Sequence, residues 1–187
     1  MGQSGGVAER VAFVPASRND SLFSNFTVGD NIIARLGDRI SGTAGVLRRA
    51  RMESLAQEMR DRFSVKTASL DTPIRSLSGG NQQKVAIAAA VICEPSALVL
   101  EEPTRGVDIG SKAEIYAILR TFADEQHAVV LYCTEIPEVF DVADLLYVVA
   151  EGHLQQPLQV ASYSDVEELA AAAARLERHV ATPGEAA

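Results

Sequence analysis

Apolar residues fall into short runs separated by polar residues, Gly and Pro. Val11-Ala12-Phe13-Val14 is unbroken and stops at Pro15, which predicts a short buried strand. Leu47, Leu55, Met59 and Phe63 recur at helical spacing with charges between them, predicting a helix from about Ala44 to Phe63. Val85-Ala86-Ile87-Ala88-Ala89-Ala90-Val91-Ile92 is apolar throughout and reads as a core helix. Ala97-Leu98-Val99-Leu100 reads as a strand that ends in Glu101-Glu102 and breaks at Pro103. Ser111-Lys112-Ala113-Glu114 has the form of a capping box, and Ile115, Ile118, Leu119 and Phe122 continue as an amphipathic stripe. Ala128 to Cys133 and Leu145 to Val149 predict two more buried strands, the second turning at Gly152. Ser164-Asp165-Val166-Glu167 opens a last helix, with Val166, Leu169, Ala173 and Leu176 on one face. Strands alternating with helices argue for an α/β fold on a parallel sheet. Gly and Ser dominate residues 1–10, so a disordered start is expected, and a disordered tail over 181–187.

Bulk properties narrow the function. The 187 residues carry a net charge of −8 and no basic run, which argues against binding nucleic acid through its phosphates. The longest apolar run, Val85 to Cys93, is far short of the ~20 residues that span a bilayer. The start, Met1-Gly2-Gln3-Ser4-Gly5-Gly6, lacks the charge and apolar core of a signal peptide, so a cytosolic chain is expected. Cys93 and Cys133 lie in apolar runs and read as buried reduced thiols. His127, His153 and His179 read as solvent-facing.

Two stretches carry the candidate chemistry. In Leu77-Ser78-Gly79-Gly80-Asn81-Gln82-Gln83-Lys84, small residues stand directly before the core helix. Bare N–H groups and the positive end of the helix dipole make such a start an anion site, to which the Ser78 hydroxyl and the Asn81 and Gln82 amides are expected to add. In Glu101-Glu102-Pro103-Thr104-Arg105-Gly106-Val107-Asp108, two carboxylates stand at the carboxyl end of a strand, where α/β sheets bind ligands.

Together the two stretches resemble the signature motif, Walker B motif and D-loop of ABC-transporter ATPases. The form LSGGNQQK…EPTRGVD is similar to the C-terminal ATP-binding half of bacterial importers for ribose, galactose and similar sugars. The resemblance runs from about Val11 to Leu154. It implies a P-loop NTPase fold over 11–180, with a helical subdomain over about 27–94 whose part up to Leu77 faces transmembrane permease subunits. It implies ATP and Mg²⁺ as cofactors, and a second nucleotide-binding domain as partner. Ser78, Gly79 and Gly80, supported by Gln82, would bind the γ-phosphate of ATP held by that partner. Glu102 would be the catalytic residue that orients the attacking water, Glu101 the Mg²⁺ ligand through water, and Asp108 a dimer contact. Such a protein sits at the inner face of the membrane through its permease.

Some family features are altered. No G-x-x-x-x-G-K-[ST] phosphate loop occurs, so a partial domain is expected, truncated or a fragment. Glu101 stands where the family has Asp, and Glu135 where it has the His that contacts the γ-phosphate. The loop Pro15-Ala16-Ser17-Arg18-Asn19-Asp20 takes the place of the family's Q-loop but lacks its Gln, and a plain surface turn is an equal reading. The complete signature beside an altered catalytic set suggests a chain that completes its partner's ATP site. The alternative is a non-catalytic regulatory or structural module that dimerises with an ATPase.

Overall fold

The computed structural model describes residues 11–36 and 49–180. The expected loose start, the tail over 181–187 and the first turns of the helix expected from Ala44 lie outside these residues. The chain divides into two compact units, one running to Tyr132 and the other beginning at Cys133.

The first unit is built on three parallel strands: β1 (Val11–Val14), β2 (Ala97–Glu101) and β3 (Ala128–Tyr132), in the order β1-β2-β3. Phe13 registers with Val99, and Val99 with Val130. The period of two sends Val14, Leu98 and Leu100 into the core, where each is fully buried. Val11, Phe13, Val130 and Tyr132 share the other face and stay 42–58% exposed. Full burial of β1 and β3 is thus corrected: each buries one side only, because among the described residues of this unit no layer covers the second face.

Among the described residues, four helices lie between β1 and β2: α1 (Arg18–Ser21), α2 (Val28–Ile33), α3 (Arg49–Arg62) and α4 (Gly79–Val91), with a 3₁₀ turn at Ile74–Ser76 before α4. A true capping box starts α2: Thr27 Oγ1 accepts from the Asp30 N–H at 3.1 Å, and the Asp30 carboxylate accepts from the Thr27 N–H at 3.2 Å. Buried Asn31 holds residues 23–27 against α2 by accepting from the Phe23 N–H and donating to the Phe23 and Thr27 carbonyls. Helix α4 is buried continuously from Gln83 to Val91, as an all-round apolar helix must be, and packs on α2, β1 and α5 (Ile109–Asp124).

The start of α5 differs from the sequence expectation. Its N-cap is Asp108, whose carboxylate accepts from the Ser111 N–H at 3.0 Å, so the helix begins before the expected box at Ser111–Glu114. Glu114, freed from capping, pairs with Lys84 and Lys66. Ile115, Leu119 and Phe122 face the core as expected. His127 is not simply solvent-facing: half-buried, it stacks on Phe122 with ring centroids 4.2 Å apart.

The second unit comprises α6 (Ile136–Val142), β4 (Leu145–Leu146), β5 (Val149–Ala150), β6 (His153–Leu154), β7 (Leu158–Gln159) and α7 (Val166–Val180). The single strand expected over Leu145–Val149 is split into β4 and β5. Both pair antiparallel, β4 with β7 and β5 with β6. Glu151 and Gly152 join β5 to β6 with φ of 50° and 79°, the positive pair that suits a tight hairpin. Leu169, Ala172 and Ala173 bury the inner face of α7, which packs on α6 and β5. Among the described residues, no helix is long and apolar enough to cross a membrane.

Candidate functional site

Ser78 is the N-cap of α4, with extended backbone and a hydroxyl that accepts from the Asn81 side chain at 3.0 Å. Gly79 and Gly80 form the first turn, where backbone N–H groups have no intrahelical acceptor. The two glycines meet different demands. Gly80 is buried: a Cβ there would stand 2.5 Å from Ser111 Cβ and closer still to its Oγ. Gly79 is only half-buried, and a Cβ there would meet the Arg18 guanidinium and the Gly106 carbonyl at an ordinary 3.4 Å.

The neighbouring amides make hydrogen bonds within the chain. Asn81 Oδ1 accepts from the Lys66 N–H at 2.8 Å, and Gln82 Nε2 donates to the Leu77 carbonyl at 3.0 Å. Beside them the structure places Arg18, which composition and spacing did not single out. Its guanidinium lies against Gly79 and Gly106 and donates to the Arg105 carbonyl at 3.4 Å. Arg18, Arg75 and Gln82 also line an open polar basin of about 290 Å³. The only sequence signal was an Arg four residues after β1.

At the carboxyl end of β2, Glu101 Oε2 accepts from the Ala16 N–H at 3.3 Å. The loop after β1 is therefore tied to the strand-end acid and is not a free surface turn. Glu102 has φ of 45°, a left-handed backbone that is uncommon for a residue with a Cβ. Its N–H donates to the Tyr132 carbonyl at 2.8 Å, extending the β2–β3 ladder by one bond. Both carboxylates are half-buried. Among the described residues, no three His, Cys, Asp or Glu side chains cluster as a metal site. Two adjacent acids, one already accepting a backbone N–H, do not by themselves fit the octahedral demands of Mg²⁺. Asp108 is exposed, and hydrogen bonds from Ser111, the backbone N–H first, hold its carboxyl below the usual range. Buried Thr104 meets the Tyr116 hydroxyl at 3.0 Å, fastening the turn between Glu102 and Asp108 to α5.

Glu135 lies in the second unit, exposed at the N-cap position of α6, where its side chain makes no capping bond. Cys93 and Cys133 are in no disulfide and are half-exposed, not buried, and Cys93 Sγ donates to the Arg35 carbonyl at 3.4 Å.

Comparison with known proteins decides the family. The ABC transporter profile matches residues 4–105, more than half of the 187. The chain belongs to the ABC transporter family. As an ABC ATP-binding chain, it is 37% identical over 137 residues to the ribose import ATP-binding protein of Ruegeria sp. strain TM1040, covering 73% of this chain and 27% of that protein. It is also 37% identical over 156 residues to the D-allose import ATP-binding protein of Escherichia coli K12, covering 81% of this chain and 31% of that one. The chain therefore spans less than a third of the length of these curated relatives. In fold it resembles cbiO1 from Clostridium perfringens, part of the ABC transporter complex cbiONQ, with a TM-score of 0.71 and 23% identity over 93% of this chain and 68% of that one. The ABC match holds Ser78–Gly80, Glu101 and Glu102 and ends before Asp108 and Glu135.

Proposed function

We propose that this ABC domain serves a bacterial sugar importer by closing its signature end over ATP held on a second nucleotide-binding domain. The observation that carries the reading is the start of α4. Two first-turn amides lack helical acceptors, the helix dipole is positive there, and Arg18 adds a charge beside Gly79. Ser78, Gly79 and Gly80 contact the γ-phosphate, and Gln82 supports them by fixing the Leu77 carbonyl. Glu102 orients water and Asp108 lies at the dimer contact. Glu101 belongs to a Mg²⁺ site only with ligands from outside the described residues, and no step is assigned to that metal. The helices between Thr27 and Leu77 face transmembrane permease subunits, which hold the domain at the inner face of the membrane. The transported solute is a monosaccharide or similar small molecule, in line with the ribose and allose named for the relatives.

The clasp of Glu101 on Ala16 favours a second reading, a module that joins an ATPase without hydrolysing ATP. One experiment tests the proposal. The 187-residue chain is mixed with a sugar-importer nucleotide-binding domain that carries a phosphate loop, with and without a slowly hydrolysed ATP analogue, and followed by sedimentation. Association that requires nucleotide and disappears in Gly79→Asp is expected. Association indifferent to nucleotide would support the second reading, and none at all would refute both. Alone, the chain should show no turnover, since positioning of phosphates is nearly all that a phosphoryl-transfer enzyme supplies. A rate near ~1 s⁻¹, the low end for such enzymes, would overturn that expectation.

A further inference from the structure

One charged side chain in the core is used by none of these roles. Lys84, in the second turn of α4, is 1% exposed. Its ammonium forms an ion pair with Glu114 of α5 and donates to the Ser64 carbonyl at 3.2 Å. The second oxygen of Glu114 pairs with Lys66 Nζ at 3.0 Å. The Lys66 N–H, in turn, donates to Asn81 Oδ1. Asn81 and Lys84 are three apart on α4 and so share a face. That face grips residues 64–66, which follow the end of α3 at Arg62 after one intervening residue, Phe63. One buried ammonium thus joins three elements: the start of α4, the exit of α3 and the body of α5.

Stability alone does not explain such a site. Replacing a buried ion pair with apolar residues of similar volume is often neutral or stabilising, and in some proteins such a pair serves instead to fix one geometry. Here the directional bonds end within one turn of the bare amides of Gly79 and Gly80. Ser64 itself has φ of 49°, a left-handed backbone uncommon for a residue with a Cβ.

We infer that Lys84 is a positioning residue that makes residues 64–66 and the phosphate-facing end of α4 move as one body. A displacement of α3 then reaches Ser78–Gly80 directly, without first distorting the core half of α4. The functional meaning rests on the proposed role of Ser78–Gly80, but the mechanical statement can be tested without nucleotide.

Amide hydrogen exchange on the 187-residue chain provides the test, read at Lys66, Gln82 and Gln83, with α7 as internal control. In Lys84→Met, exchange at these three amides should rise by roughly tenfold or more while α7 is unchanged. Lys84→Met/Glu114→Leu replaces the ion pair with an apolar one. Its denaturation midpoint should return near that of the unsubstituted chain while exchange at the three amides stays fast. If exchange is unchanged in Lys84→Met, or recovers with stability in the double variant, the site is structural only and the inference is wrong. Should Lys84→Met not fold, Glu114→Gln, at a half-exposed residue, is read by the same criterion. Loss of the ATP-dependent association in the unsubstituted chain would overturn the role of the signature and leave the exchange result standing.

Discussion

At the scale of single residues, the two signature glycines separate packing from chemistry. Gly80→Ala must push Ser111 aside at the start of α5, so a loss of roughly 1–3 kcal/mol in urea unfolding is expected. Gly79→Ala should leave stability nearly unchanged. Gly79→Asp is accommodated too, since Arg18 lies beside it, yet it sets a negative charge where a phosphate must approach. In a reconstituted importer carrying this domain, Gly79→Asp should lower sugar-stimulated ATPase by ~10²–10³, the scale of losing donors to a developing charge. On the proposed reading, in which Glu135 stands where a His would contact the γ-phosphate, Glu102→Gln should cost only severalfold, and the clasp of Glu101 to Ala16 points the same way. The reverse order would show that this domain runs its own catalytic site. The octet around Ser78 was legible because its residue types and their order are diagnostic together. Three things were not. The Gly80–Ser111 contact spans 31 positions, Arg18 reaches 87 residues on to Arg105, and the bond from Ala16 to Glu101 spans 85. A linear pattern has no term for such approaches.

Among elements, α3, α5 and α7 followed from helical spacing, and α4 and the three core strands from unbroken apolar runs. Helix starts were harder to read. Ser111 and Glu114 have the spacing of a capping box, yet Asp108 caps α5, because an earlier acceptor at the proper distance ends the competition before Ser111 is reached. The real box, Thr27 with Asp30, uses Asp in place of the usual Glu or Gln. Strands β4 to β7 have two residues each, too few to show any period. The capping acid has a consequence in pH. Hydrogen bonding depresses the folded-state pKa of Asp108, and Lys84 followed by Lys66 depresses that of Glu114. Both groups stabilise the fold above their unfolded values near ~4, and lose that contribution as pH falls through the lower folded values. The urea midpoint should therefore hold steady from pH 7 to 5 and fall below about 4. Asp108→Asn keeps a capping oxygen without the titration, so its midpoint should fall less over the acid range. An identical acid response in both proteins would remove Asp108 from this account.

For the whole molecule, the deciding feature is the outer face of the three-stranded sheet. Val11, Phe13, Val130 and Tyr132 form an exposed apolar patch, and among the described residues no further strand pairs with the outer edge of β1 or β3. The chain should associate with itself as concentration rises and should bind an apolar-surface dye. Light scattering that reports a strict monomer, together with no dye signal, would refute this. The alternation that buries Leu98 and Leu100 is the same alternation that strands Phe13 and Tyr132 outside, so the face was readable in principle; what covers it was not. Burial of such a face is driven mainly by entropy near room temperature and carries a negative heat-capacity change. The oligomers should therefore loosen when chilled and tighten on mild warming, and calorimetric dilution at several temperatures should show an association enthalpy that becomes steadily more negative as temperature rises.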